Sequence, residues 1–386
     1  MQLSPDQKNL LRQVWRWFIS QKSPYLTFGG YAGTGKTTMI AFLRKALQKK
    51  FPKLKVGFCA YTGKAARVLE GALSDQKANF PQDSSGTIHS LIYEPQIDEK
   101  GRITGWKRKE SLKASLIIVD EASMVDQQIW RDLTSFKLPI LAVGDHGQLP
   151  PIRGNFNLME KPQLRLEKIH RQAKNNPIIR LSERVRQGEK IPFGDFGPVK
   201  KLSRTDDQTR ELAEELLQNY SSDLLVLVGY NLSRVKLNSE IRKLNDIMEI
   251  QPQKGEQIIC LKNNYQKGIY NGLLGKIKEI TESKKNKRLW YHLEAEMADG
   301  HFYQGRVLKQ QFNSLKTIDH LPGLSYKKMG DLFDFGYVLT VHKAQGSQAK
   351  KVLLFEERFR KMTDQDWRRW LYTAVTRAEE ELIIIG

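Results

Sequence analysis

Cysteine is nearly absent from this 386-residue chain: Cys59 and Cys260 are the only two, each inside an apolar, strand-like run. Two thiols so far apart exclude a disulfide framework and fit buried side chains in a reducing compartment. Long hydrophobic runs are missing too, since no apolar stretch approaches the length of a bilayer-spanning helix. The start, Met1-Gln2-Leu3-Ser4-Pro5-Asp6, lacks the basic-then-apolar pattern of a leader. A soluble, cytoplasmic or otherwise intracellular protein with no membrane partner is therefore expected. Repeats and low-complexity tracts are absent, and no dedicated oligomerisation element is visible, so the expected state is a monomer. Acidic residues are scarce beside basic ones: 43 Asp+Glu against 63 Lys+Arg give a formal charge of +20. That balance disfavours an acidic small-molecule specialist and favours a polyanionic partner, nucleic acid ahead of an anionic membrane surface.

What is present is dominated by Gly30-Tyr31-Ala32-Gly33-Thr34-Gly35-Lys36-Thr37, which fits G-x-x-x-x-G-K-[ST] at every fixed position. A strand-like run precedes it (Pro24, Tyr25, Leu26, Phe28) and a helical apolar pattern follows over 38–47. Glycines let such a loop curl its N–H groups toward phosphate, and the helix N-terminus adds partial positive charge. Gly33, Thr34, Gly35, Lys36, Thr37 and Thr38 form the nucleotide-binding set, with Lys36 on the β- and γ-phosphates and the Thr37 hydroxyl on Mg²⁺.

Downstream, Ser115–Val119 is an apolar strand ending in Asp120 and Glu121. Asp120 is the second candidate Mg²⁺ ligand, and Glu121 the base that orients and deprotonates the attacking water. A further strand runs into Gly144-Asp145-His146-Gly147-Gln148, where Gln148 is placed to sense the γ-phosphate. Arg171 and Arg377 are candidates for charge stabilisation on the transferred phosphoryl group.

The length predicts two or three domains. An amphipathic helix is expected over 5–20, with Ser4 as N-cap and Pro5 at its first position. Strands are expected at 25–29, 55–60, 115–119, 138–143, 224–229, 337–341, 351–355 and 381–385, with helical patterns between most of them. Apolar strands alternating with helices predict parallel sheets covered on both faces. Two such blocks, 1–175 and 176–386, each carry an insert: a β-hairpin within about 84–110, and a small antiparallel barrel over about 255–330.

Taken in order, GGYAGTGKTT, YTGKAARVL, VDEASM, GDHGQLPPI, HRQ, VLTVHKAQGSQ and LYTAVTRAEEEL resemble the motifs of superfamily 1 helicases. Within that superfamily the chain is similar to the RecD-like and Dda-like branch that moves 5′ to 3′. The resemblance implies an α/β fold of two RecA-like P-loop NTPase domains, with a hairpin pin insert and a small SH3-like barrel insert. It implies ATP and Mg²⁺ as cofactors, and single-stranded DNA and its junctions with duplex as partners. Gln7 fits the family's adenine-reading glutamine, and Gln345 is placed near the nucleotide. Thr62 and Lys64 match one DNA-contact segment, Thr87 and His89 a second, and Thr340, His342 and Lys343 their counterpart in the other domain. Trp106, in the hairpin, is the candidate stacking wedge. Two rival readings stay open: a DNA-stimulated translocase that displaces bound proteins with little unwinding, and a nucleotide-gated single-strand binding protein.

Overall fold

The computed structural model describes residues 3–97, 103–151, 156–168, 176–264, 267–283, 288–298, 300–318, 320–322 and 329–386. They form two compact units, Met1–Arg186 and Gln187–Gly386. The first thus extends past residue 175, because the helix Pro177–Gln187 sits almost entirely within it.

The first unit begins with helix α1 (Pro5–Ser20), strand β1 (Tyr25–Gly30), α2 (Lys36–Lys50), β2 (Val56–Ala60), α3 (Gly63–Asp75) and β3 (Ser84–Thr87). Then come α4 (Ile88–Ile92), β4 (Tyr93–Ile97), β5 (Ile103–Arg108), β6 (Leu116–Asp120), α5 (Gln127–Thr134), β7 (Ile140–Gly144) and β8 (Leu164–Leu166). Six strands make a parallel sheet in the order β3-β2-β6-β7-β1-β8. The apolar runs read as strands are buried along their length, as a sheet covered on both faces requires. Alternate residues divide between the faces. Phe58 and Ile118 pack with Leu10, Val14, Met39 and Leu69 of the first three helices, while Cys59, Ile117 and Val119 pack with Ile88, Ile129, Trp130 and Leu133 of α4 and α5.

Local chemistry sets the ends of these elements. Ser4 and Gln7 cap α1 reciprocally, side chain to backbone, with Pro5 at its first position. The Arg44 guanidinium, fully buried, donates 2.6 and 3.1 Å bonds to Asp83, whose Oδ1 also accepts from the Val56 N–H at 3.0 Å. That paired charge ties α2 to the entry of both β2 and β3. The hairpin expected within 84–110 is narrower than that range. Ser84–Thr87 pairs parallel with β2 and belongs to the main sheet, so the hairpin is β4 and β5 alone.

The second unit holds β9 (Gly194–Asp195), β10 (Val199–Leu202), helix Asp207–Gln218, β11 (Leu224–Val228) and helix Asn231–Leu244. After these come β12 (Gln257–Cys260), β13 (Leu274–Glu282), β14 (Trp290–Met297), β15 (Phe302–Leu308), β16 (Phe333–Phe335), β17 (Val338–Thr340), β18 (Ala349–Phe355), helix Asp364–Val375 and β19 (Ala378–Ile385). Its main sheet runs β17-β11-β18-β19-β10-β9, parallel except for the edge strand β9. Between β11 and β17 the chain builds a separate antiparallel sheet, β15-β14-β13-β12-β16, with its own core of Ile258, Ile277, Leu293, Tyr303 and Phe333. Leu308 donates to the Asp331 carbonyl (3.1 Å) and Asp331 to that of Arg306 (2.8 Å), joining β15 to the segment that enters β16 and closing the sheet on itself. The insert extends beyond residue 330, because β16 completes it. Arg242 fastens it to the helix before it, with bonds of 2.7 and 3.2 Å to Glu256, which is almost fully buried.

Candidate active site and nucleic-acid interface

Three segments singled out by sequence follow β6, β7 and β1, adjacent strands of the first sheet, at their C-terminal ends. Open α/β sheets present ligands at that edge. The phosphate loop turns from β1 into α2 through Gly33 and Gly35, whose φ values of +74° and +82° are left-handed and cost glycine little. Gly35 caps α2 without a side-chain bond, which leaves the first-turn N–H groups of Lys36, Thr37 and Thr38 to an anion. A Cβ on Gly30 would lie 2.7 Å from Thr34 Oγ1 and 3.0 Å from Lys36 Cγ, so this loop closes only over glycine. Lys36 Nζ donates to the Gly30 carbonyl at 2.9 Å and the Tyr31 carbonyl at 3.2 Å, and lies 4.0 Å from Asp145 Oδ2. An ammonium has three donors, so two fix its position over the loop. Thr34 is fully buried and donates its hydroxyl to the Tyr31 carbonyl at 2.8 Å. Gln7 is buried as well: its Nε2 donates to the Thr34 carbonyl at 3.4 Å while Oε1 accepts from the Ser4 N–H at 3.1 Å.

The carboxylates come next. Asp120 is buried; that burial and the adjacent Glu121 charge raise its pKa to about 6, against the opposing pull of the Glu121 N–H and Lys36. Glu121 takes a left-handed backbone (φ +51°, ψ +39°), costly for a residue with a Cβ and found where a side chain must be aimed. Its Oε2 is buried and has no hydrogen-bond partner among the described residues; the same is true of Gln148 Oε1. Gln148 Nε2 donates to Asp145 Oδ2 at 3.4 Å, and Asp145 Oδ1 accepts from the Gly147 N–H at 2.9 Å. Two unpartnered acceptors in one small region mark a site built for something other than its own stability. The donor set also fits Mg²⁺, which keeps several waters and takes one or two protein oxygens beside substrate phosphates. Thr37 supplies a hydroxyl, and Asp120 a buried carboxylate whose raised pKa a nearby dication would pull back down.

Sequence reasoning passed over Asp145, Tyr31 and His146. Asp145 was legible, since it follows an apolar strand just as Asp120 does; nothing in the pattern singled out the other two.

Residues 2–210 match a family model described as an AAA domain, and residues 335–385 one described as a UvrD-like helicase C-terminal domain. The ATP-dependent RecD2 DNA helicase of Deinococcus radiodurans is 30% identical over 413 residues, covering 100% of this chain and 49% of that protein. The ATP-dependent DNA helicase dda of Enterobacteria phage T4 is 29% identical over 267 residues, covering 62% of this chain and 57% of its own. This chain belongs to the RecD/Pif1-like group of superfamily 1 helicases. The fold agrees: a Bacteroides Pif1 helicase solved with ADP-AlF3 and ssDNA superposes with a TM-score of 0.56 at 18% identity, over 100% of this chain and 93% of that one. The chain spans about half the length of the Deinococcus relative.

In this RecD/Pif1-like chain the segments assigned to nucleic acid start or end elements. Thr62 caps α3, its Oγ1 accepting from the Ala65 N–H at 3.2 Å, and Lys64 is exposed in the first turn. Thr87 caps α4 in the same way at 3.1 Å. His89 lies 5.4 Å from the Tyr93 ring, and burial lowers its pKa to about 4. Trp106 pairs with Pro95 in the hairpin backbone; its side chain, like Arg171 as a whole, lies outside the described residues.

In the second unit Thr340, His342, Lys343 and Gln345 fall in or next to one turn, where the Lys343 and Ala344 N–H groups bond the Thr340 carbonyl. Burial lowers the pKa of His342, and lowers that of Lys343 to about 8 with help from the Arg234 charge. Gln345 is buried. Arg377 donates to the carbonyls of Thr373 (3.0 Å) and Ser347 (3.1 Å) and to Thr376 Oγ1 (3.2 Å). Its guanidinium therefore ties the end of helix Asp364–Val375 to the turn that carries Gln345, a structural duty sequence reasoning had not given it.

Proposed function

We propose that this chain is an ATP-driven motor that tracks single-stranded DNA from 5′ to 3′ and separates duplex at junctions, working as a monomer. The observation that carries the reading is the convergence of Lys36, buried Asp120, and the unpartnered oxygens of Glu121 and Gln148 at the C-terminal ends of three neighbouring strands. Such a set can hydrolyse a nucleoside triphosphate.

In this reading Lys36 and the first-turn N–H groups of α2 bind the β- and γ-phosphates, and Gln7 and Gln345 contribute to nucleotide recognition. Thr37 and Asp120 would hold Mg²⁺, which when bound neutralises negative charge on the phosphate oxygens. Glu121 Oε2 accepts a proton from the attacking water, and the Gln148 carboxamide orients that water against the γ-phosphate. Arg171 and Arg377 complement the charge on the transferred group. Thr62, Lys64, Thr87, His89, Thr340, His342 and Lys343 grip DNA phosphates without reading bases. The two parallel-sheet units correspond to RecA-like domains, the β4–β5 hairpin with Trp106 to the strand-separating pin, and the closed antiparallel sheet to an SH3-like module.

Partial duplexes with either a 5′ or a 3′ single-stranded tail, run beside Lys36→Ala, test this directly. Unwinding of the 5′-tailed substrate alone, lost in the lysine variant, is expected. Activity on the 3′-tailed substrate alone would reverse the polarity. ATP turnover that oligonucleotide does not raise would end the motor reading.

A further inference from the structure

Tyr31 lies inside the phosphate loop, and its carbonyl accepts from Lys36 Nζ, the Thr34 N–H and the Thr34 hydroxyl. Its ring meets side chains from two other segments. The Arg186 guanidinium carbon stands 3.5 Å from the ring centroid, and the His146 imidazole centroid is 4.0 Å away at a tilt of 43°. Arg186 comes from the last turn of helix Pro177–Gln187 and His146 from the loop between Asp145 and Gln148, so two separate segments meet on one aromatic residue of the phosphate loop.

The chemistry of the three is uneven in an informative way. Arg186 has Glu183 at 3.7 Å, one turn back, as a loose carboxylate partner, and its side chain is 20% exposed. A guanidinium laid on an aromatic face is held in orientation while its in-plane N–H groups remain available to a bidentate acceptor such as phosphate. His146 has both ring nitrogens buried and without hydrogen-bond partners among the described residues. It fits against β1 only because residue 29 is glycine: a Cβ there would lie 2.8 Å from His146 Nδ1. Burial lowers its pKa to about 4, so at neutral pH it packs as an uncharged ring and does not repel Arg186.

We propose that Arg186, held on the Tyr31 ring that His146 braces, is a further phosphate-contacting cation that distinguishes ATP from ADP by the terminal phosphate. Tyr31 and His146 act through it as positioning residues. The proposal rests on the ATP site described above, and the controls separate the two.

Binding of N-methylanthraniloyl-labelled AMP-PNP and ADP to the full chain, with Mg²⁺ present, reads the effect. Arg186→Ala is expected to weaken the triphosphate analogue about tenfold or more while ADP affinity moves less than about twofold, the scale of one charge-assisted contact. Arg186→Lys recovers only part of the difference, because an ammonium is a point charge without the planar fork. Tyr31→Ala reproduces the Arg186→Ala pattern, and Tyr31→Phe, which restores the ring, recovers the preference. His146→Ala shifts it in the same direction to a smaller degree. An equal loss for both nucleotides in Arg186→Ala, or no loss for either, overturns the proposal, as does a Tyr31→Phe that behaves like Tyr31→Ala. If Lys36→Ala binds both probes as the parent does, the ATP site itself is misplaced and this inference falls with it. If Lys36→Ala fails and Arg186→Ala keeps the parent's preference, only this inference falls.

Discussion

In the proposed mechanism Glu121 concentrates the chemistry of the first unit in one side chain. It follows a buried strand, sits in a backbone region that residues with a Cβ avoid, and keeps one oxygen buried and without a hydrogen-bond partner among the described residues. Each of these costs stability, and together they aim a carboxylate. Replacing it with Gln keeps the shape and removes the proposed base. Glu121→Gln is therefore expected to lower the rate of phosphate release by roughly 100-fold or more, the usual yield of general-base catalysis, while labelled-nucleotide and oligonucleotide affinities hold. A parallel loss of nucleotide binding would show that Glu121 anchors the site and does not catalyse. Gln7 is another residue that does two jobs. It closes the cap of α1 and donates to the Thr34 carbonyl in the phosphate loop, so it joins that helix to the loop.

At the scale of elements, buried charge decides how pieces are joined. Glu256 accepts from Arg242, from the Gln253 N–H at 2.6 Å and from the Tyr337 hydroxyl at 3.1 Å, linking a helix, the start of the closed antiparallel sheet and the approach to β17. Glu256→Ala leaves Arg242 buried without its carboxylate and is expected to cost about 3–5 kcal/mol in chemical denaturation of the second unit. A change below about 1 kcal/mol would mean that the joint is dispensable. In the first unit His89 gives a pH signature. Its pKa is near 4 in the folded chain against an ordinary 6.5, so the unfolded chain takes up more protons between those values. Its contribution is complete above pH 6.5 and is lost as pH falls toward 4. The stability difference between the parent and His89→Gln should shrink through that window in urea titrations; a constant difference would contradict the burial of a neutral imidazole. Asp120, raised to about 6, shifts stability the opposite way, but it is common to both proteins and cancels.

The same scale shows what could be read in advance. Strands made of four or more consecutive apolar residues, such as Leu116–Val119 and Leu224–Val228, were legible because burial on both faces leaves a continuous apolar run. Ser84–Thr87, Leu164–Leu166 and Val199–Leu202 were not. The first is an exposed-to-half-buried edge strand of small residues, and the others are short, so their pairing depends on partners far away in the chain. At the site, Lys36, Asp120, Glu121 and Gln148 stand out because fixed spacing follows apolar strands. Tyr31, His146 and Arg186 come together only through the fold.

At the scale of the whole molecule, the two sheets make different demands on the chain. The first unit builds its sheet from strands that lie within residues 25–166. In the second, β19 (Ala378–Ile385) lies between β18 and β10 as an interior strand, paired with both, although it follows both in the chain. Deleting residues 378–386 removes Leu382, Ile383, Ile384 and Ile385 from the core. It is expected to abolish the cooperative unfolding transition of the second unit while leaving that of the first. Two unaltered transitions by calorimetry would refute this.

The placement of that strand has a bearing on synthesis. A ribosome makes β10 and β18 before the strand that lies between them, and the facing edges of both stay unpaired until Ala378–Ile385 has been added. Termination of the message ahead of that strand would thus yield a chain with the first unit's sheet complete and an open, adhesive edge in the second, a product for proteolysis.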